Sequence, residues 1–292
     1  MIPYRLNPLG SGWPHEGCYG VFLTSSGTAV SSAIVMSGAI VSGTDYAQIV
    51  YSHGTARETI VSSGGALSVS SGGTAIRTNI TGGWNGIYNS GKTISTTLNA
   101  NGRQNVSSGG VTSYSLINAN GRQNVNSGAT VYYTTVNSGG SMYVSSGGRA
   151  VNPVVSSGGA CNLFSGGQII VENGGKVSGH TIIDGAQLLI SSGGTAANTD
   201  LYGWNGVYAD GVTISTAINS GGRQNVSSGG VTSYSIIKAN GRQNVSAGGT
   251  AYSTTVSSGG SLVVVSGGTA LSVTSKTGAV INSAAGAVIT YA

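Results

Sequence analysis

The sequence predicts an all-β fold, a right-handed parallel β-helix (β-solenoid) with about 19 residues per coil, and three observations carry that expectation. Glycine-centred turns recur at a fixed rhythm. Residues between them alternate inward and outward. Composition also leaves little material for helices: of 292 residues 51 are Gly and only 7% are charged, where a soluble domain usually carries about 25% charged residues. Val and Ile recur throughout, which distinguishes the chain from a disordered Gly/Ser tract. No apolar run reaches the roughly 18 residues of a membrane helix.

Taken in chain order, residues 1–22 stand outside the repeat, with Pro3, Pro8, Trp13, Pro14 and Cys18, and are expected to form an N-terminal cap or docking segment. The first eight residues lack the apolar stretch of a signal peptide. Residues 23–292 form the repeat domain. Turn residues fall at Gly102, Gly110, Gly121, Ala129, Gly140, Gly148, Gly159 and Gly167, with gaps of 8 and 11 that sum to 19. Most of these turns read Ser-Ser-Gly-Gly or Asn-Gly, dipeptides that supply positive φ at small steric cost. Eight-residue units start at Ala47, Ala66, Trp84, Arg103, Arg122, Ser141, Ala160, Gln187, Trp204, Arg223, Arg242, Ser261 and Ala279. Within them two positions spaced by two residues share a strand face. One column reads Leu67, Asn85, Gln104, Gln123, Met142 and Cys161; the other reads Val69, Ile87, Val106, Val125, Val144 and Leu163. A third column, Leu98, Ile117, Val136, Val155, Ile218, Ile237 and Val256, comes from the longer units. Such strands bury their apolar side only by stacking coil on coil.

A duplication overlies this rhythm. Residues 83–150 match 203–270 at 48 of 68 positions without a gap. Between the copies the step from Ala160 to Gln187 is 27 residues, and a protruding loop bearing Glu172, His180 and Asp184 is expected there. The final eight residues are apolar and strand-like, and predict a stack that continues into another element.

Units of the form Gly-Gly-x-x-x-Val-Ser-Ser-Gly-Gly-x-Ala-x-x-Thr-x-Val, with residues 250–262 a close example, resemble the repeats of AIDA-type autotransporter adhesins across nearly the whole chain. The resemblance implies a bacterial cell-surface, extracellular passenger domain that acts in adhesion or autoaggregation and is not an enzyme. It also implies O-heptosylation of repeat serines by a heptosyltransferase, with Ser62, Ser107, Ser145, Ser156, Ser191, Ser227 and Ser257 at the matching positions. The partners it implies are a host-cell or bacterial surface glycan or protein, or a second copy of the chain.

The residues themselves point to one candidate binding face. Trp84, Arg103 and Arg122 follow one another on the outward side of consecutive coils, with Asn105 and Asn124 beside them; Trp204, Arg223, Arg242, Asn225 and Asn244 repeat the pattern. An indole offers a flat apolar surface, and guanidinium groups recognise planar anions bidentately. The set suits a shallow glycan or anionic-polymer site, and equally serves to keep a flat β face soluble. Gln104 with Gln123, and Gln224 with Gln243, fall in the inward column, where stacked amides can bond along the axis. Two other classes stay open: an assembly protein stacking end to end, and a polysaccharide-degrading β-helix using Glu172, Asp184 and Asp200 near His180. The three histidines and two cysteines match no metal motif, and neither metal nor cofactor is expected. The charge of +5 is scattered singly, which excludes a nucleic-acid face.

Overall fold

The computed structural model describes residues 21–25, 28–33, 35–43, 46–51 and 54–292. Most of the N-terminal segment assigned to 1–22 therefore lies outside the described residues, as do Cys18, His15 and His53. The chain forms a parallel β-solenoid, all strand and turn, in two compact units. One comprises residues up to 149 with 155–161, the other 150–154 with 162–292.

In the first unit a coil has three short strands. The coil Arg103–Val106, Val111–Ser113 and Leu116–Ile117 lies under Arg122–Val125, Thr130–Tyr132 and Thr135–Val136, residue for residue at an offset of 19. Corners are made in two ways. Ser107-Ser108-Gly109-Gly110 closes with the Gly110 N–H donating to the Ser107 carbonyl at 2.9 Å. Ser108 (φ 46°) and Gly109 (φ 82°) take the left-handed conformation within it. Gly110 is needed for another reason: a Cβ there would stand 2.5 Å from the Ile87 carbonyl oxygen of the coil below. The second corner is a single left-handed residue, Ser95, Tyr114 or Tyr133 on successive coils.

The three inward columns form the core. Val106, Val125 and Val144 are fully buried, as are Leu98, Ile117 and Val136. Val155 and Cys161 depart from the expectation and are only half-buried. The Cys161 thiol is nevertheless pushed up to about 12 by its surroundings, which disfavour the thiolate. Near the start, Val21–Ser25 pairs antiparallel with both Tyr46–Val50 and Thr28–Ala33, so the first parallel strand has no open edge on that side.

In the second unit Gln168–Val171, Gln187–Ile190, Trp204–Val207, Arg223–Val226, Arg242–Val245, Ser261–Val264 and Val280–Ser283 stack in parallel. This corrects two sequence expectations. The long step from Ala160 to Gln187 holds no protruding loop: Gln168–Val171 pairs in register with Gln187–Ile190, so the step is one ordinary coil plus one 8-residue unit. The closing unit also starts at Val280, opposite Ser261, rather than at Ala279.

Candidate functional site

Each outward stripe stands on a buried amide ladder. In the first unit Trp84, Arg103, Arg122 and Ser141 are register partners, and one step along the strands so are Asn85, Gln104, Gln123 and Met142. Asn85, Gln104 and Gln123 have no exposed surface. The Gln104 Nε2 donates to Asn85 Oδ1 at 2.9 Å, and Gln123 Nε2 to Gln104 Oε1 at 2.6 Å. Hydroxyls across the core complete the set. Ser115 and Thr134 donate to Gln104 and Gln123, while Thr93 and Thr112 accept from them. Asn85 donates to the Leu67 carbonyl. The second unit repeats the arrangement, with Gln224 donating to Asn205 at 2.8 Å and Gln243 to Gln224 at 2.7 Å. A buried amide left unpaired is destabilising; here the ladder satisfies each one and holds the strands in register.

On the outer side, the side chains are held in place by one another. Trp84 lies back over Gly86: a Cβ at Gly86 would come 2.7 Å from the indole Cζ2. The ring keeps its outer part in solvent, 37% of the residue being exposed. Arg122 Nε donates to Asn124 Oδ1 at 2.8 Å, and its guanidinium lies 4.1 Å from the centre of the Tyr143 ring. Asn124 donates in turn to Asn105. In the second unit Arg242 donates to Asn244 at 2.7 Å, and Asn244 to Asn225 at 2.7 Å. Trp204 folds over Gly206, with Tyr208 tilted against it at 6.4 Å between centroids. Val263 stands where the first unit has Tyr143, so Arg242 has no ring beneath it. All ten residues of the sequence-predicted face are thus outward on their strands, the arginines exposed and the asparagines half-buried.

The serines of the Ser-Ser-Gly-Gly turns divide into two kinds. Ser62, Ser107, Ser145, Ser191, Ser227 and Ser257 are half-buried and Ser156 is exposed; their carbonyls accept the turn hydrogen bond. The following serines, Ser63, Ser108, Ser146, Ser157, Ser192, Ser228 and Ser258, are all exposed at the tip.

None of the acidic side chains expected around the irregular coil bonds to His180. His180 is 5% exposed, with Nδ1 donating to the Ser178 carbonyl at 2.9 Å and Nε2 buried without a partner. Burial lowers its pKa. Asp184 and Asp200 are exposed, while Glu172 begins a turn that closes on Gly175. Among the described residues no cluster of His, Cys, Asp or Glu could hold a metal ion, and no helix is long and apolar enough to cross a membrane. Asp184 does line a cleft of about 320 Å³ with Trp204 and Arg223, a grouping the sequence did not disclose.

No family model matches the chain, and no curated protein matches it. Among solved structures, it is similar to a crystal structure of a TibA fragment hyper-glycosylated by TibC, at 33% identity over 88% of this chain and 99% of that one. The two coordinate sets superpose loosely, at a TM-score of 0.49, so the kinship rests on the sequence identity. With that identity along almost the full fragment, the chain belongs to the AIDA-type autotransporter adhesin family, as a passenger-like repeat solenoid.

Proposed function

We propose that the chain is a non-enzymatic surface passenger domain that binds glycans on host or bacterial cells through its Trp–Arg stripes. The observation that carries this reading is the preorganisation of each stripe. The indole is laid flat over a glycine, and one guanidinium is fixed by an asparagine that is itself fixed by the asparagine of the coil before. Side chains that serve only solubility have no need of such bracing, whereas a recognition face loses less rotamer entropy on binding when its groups are already held. Several weak sites on one molecule bind through avidity.

The turn serines are the proposed sites of O-glycosylation, by analogy with the hyper-glycosylated TibA fragment. A heptosyltransferase, acting here as TibC does in glycosylating the TibA fragment, is the proposed modifying partner, and the extracellular cell surface the proposed location. In six of the seven pairs the second serine is the more exposed residue, and in Ser156–Ser157 both are exposed. Peptide mass spectrometry of protein from its native host tests the modification.

The binding test compares wild type with a variant carrying Ala at Trp84, Arg103, Arg122, Trp204, Arg223 and Arg242, on a glycan array and on whole cells. Loss of binding in a variant with an unchanged melting curve supports the reading. A folded, monomeric wild-type protein that binds neither array nor cells overturns it.

A further inference from the structure

Both tryptophans of the stripes sit where a coil is short. Four residues separate the inward-facing Leu98 from Arg103, Ile117 from Arg122 and Ile218 from Arg223. Only three separate Ile80 from Trp84, and only two separate Leu201 from Trp204. In the second unit that shortening removes a turn. On the coil before, the Ala186 N–H donates to the Ile183 carbonyl at 3.0 Å and closes a turn with Asp184 at its tip. On the coil after, the Gly222 N–H closes on Asn219 at 2.9 Å. Between them the Tyr202 and Gly203 N–H groups both donate to the Ile182 carbonyl, at 2.8 and 2.9 Å, and no turn projects.

The missing turn leaves the cleft of about 320 Å³, whose lining includes Asp184, Gln187, Gly203, Trp204, Gly221 and Arg223. Its floor cannot be filled from within. A Cβ at Gly203 would come 2.5 Å from the Ala186 carbonyl oxygen and closer still to that of Ile183. Asp184 and Arg223 face this cleft without forming an ion pair; among the described residues the only one is Arg77 with Glu58.

We propose that this notch is a subsite for one neutral pyranose ring. The indole covers the apolar C–H face of the ring, the Asp184 carboxylate accepts from adjacent hydroxyls, and the Arg223 guanidinium donates to ring or hydroxyl oxygens. A negatively charged sugar gains from Arg223 but is repelled by Asp184, so the paired charges favour a neutral one. The volume lies at the lower end of small-ligand pockets, about 300–1,000 Å³, which suits a ring rather than a long stretch of polymer. This assignment deepens the glycan-binding reading and rests on it. It belongs to the second unit alone, because Ser63 holds the corresponding turn position before Trp84.

The test is saturation-transfer NMR and titration of the full chain with methyl galactopyranoside, methyl mannopyranoside, N-acetylglucosamine and glucuronate. At least one neutral pyranoside is expected to bind, and glucuronate more weakly. Asp184→Asn is expected to weaken binding about tenfold, or 1.4 kcal/mol. Inserting Ser-Gly between Tyr202 and Gly203, to restore the missing turn, is expected to abolish it while leaving Asp184, Trp204 and Arg223 in the chain. Circular dichroism melts verify that both variants fold; should the insertion fail to fold, Asp184→Asn alone decides. Wild-type affinity in Asp184→Asn, with binding lost in Trp204→Ala, overturns the subsite and leaves the stripe standing. A preference for glucuronate overturns the neutral assignment. Binding on the glycan array with no pyranoside bound overturns the subsite only; silence in both assays overturns the stripe as well.

Discussion

Replacing Gln123 by Leu breaks the amide ladder of the first unit at its last amide, because the register partner on the next coil is already Met142. Leucine suits the column in shape, since Leu67 occupies it two coils before Gln104 and is fully buried. The perturbation is therefore chiefly one of polarity. Three hydrogen bonds disappear: the 2.6 Å bond to Gln104 Oε1, the 3.3 Å bond to Thr112 and the 3.2 Å bond from Thr134. Each contributes about 1 kcal/mol net, and a buried polar atom left without any partner adds a penalty of about 1–3 kcal/mol. Gln104 Oε1 retains Ser115 at 3.3 Å, so the Thr134 hydroxyl is the main orphan. The expected loss is about 2–4 kcal/mol after the gain from the added apolar surface. Urea denaturation followed by far-ultraviolet circular dichroism measures it, with hydrogen exchange at Val106 and Val125 locating the effect. The double variant with Gln104→Leu is expected to lose about 1–2 kcal/mol less than the sum of the singles, because their mutual bond is removed only once. A single variant within about 0.5 kcal/mol of wild type, or strict additivity, would refute the ladder as a cooperative unit.

Gly86→Ala is expected to push the Trp84 indole off its seat, shifting tryptophan emission and weakening stripe-dependent binding with little change in melting temperature, since the clash is with a side chain. Gly110→Ala meets backbone instead and is expected to destabilise by about 1–3 kcal/mol in a denaturant titration. Ala129 holds the equivalent place one coil later, where the Thr130 N–H to Gly110 carbonyl bond is 3.2 Å against 3.0 Å for Val111 to Gly91, so a coil can yield slightly. His180 has a lowered pKa when folded, so the unfolded chain binds the proton more readily and stability falls as pH drops below the ordinary imidazole range of about 6.5, levelling off below the folded pKa. Melting temperature followed across that range in wild type and His180→Thr should show a flatter profile in the variant; an unchanged slope would remove His180 as its source.

Much of the architecture was legible because its signals are local. A Ser-Ser-Gly-Gly turn needs left-handed φ wherever it occurs, and alternation assigns a residue to the inside of its strand without knowledge of its neighbours. Thus alternation puts Val106 and Leu98 in the core and Gln104 and Gln123 in the inward column, where the structure has them buried and bonded. The same alternation puts the stripe residues on the outside. The missed strand Gln168–Val171 and the half-buried Cys161 fall where the rhythm changes phase, and period-counting loses its reference there. The Asp184 cleft escaped because two missing residues look, in one dimension, like simple irregularity.

The sequence by itself determined the coil length, the turn positions, the three apolar columns and the composition of the outward stripes, because each follows from residue-level preferences for φ and for burial. Only the tertiary structure decided which groups come together: Gln123 on Gln104 of the coil before, Trp84 folded back over Gly86 of its own strand, and Asp184 and Arg223 lining one cleft beside a missing turn. The first and last of these join residues on different coils, and their partners are set by the register in which one coil settles on the next. That register is a property of the assembled stack, fixed by backbone pairing and by the turn that is present or absent beside it.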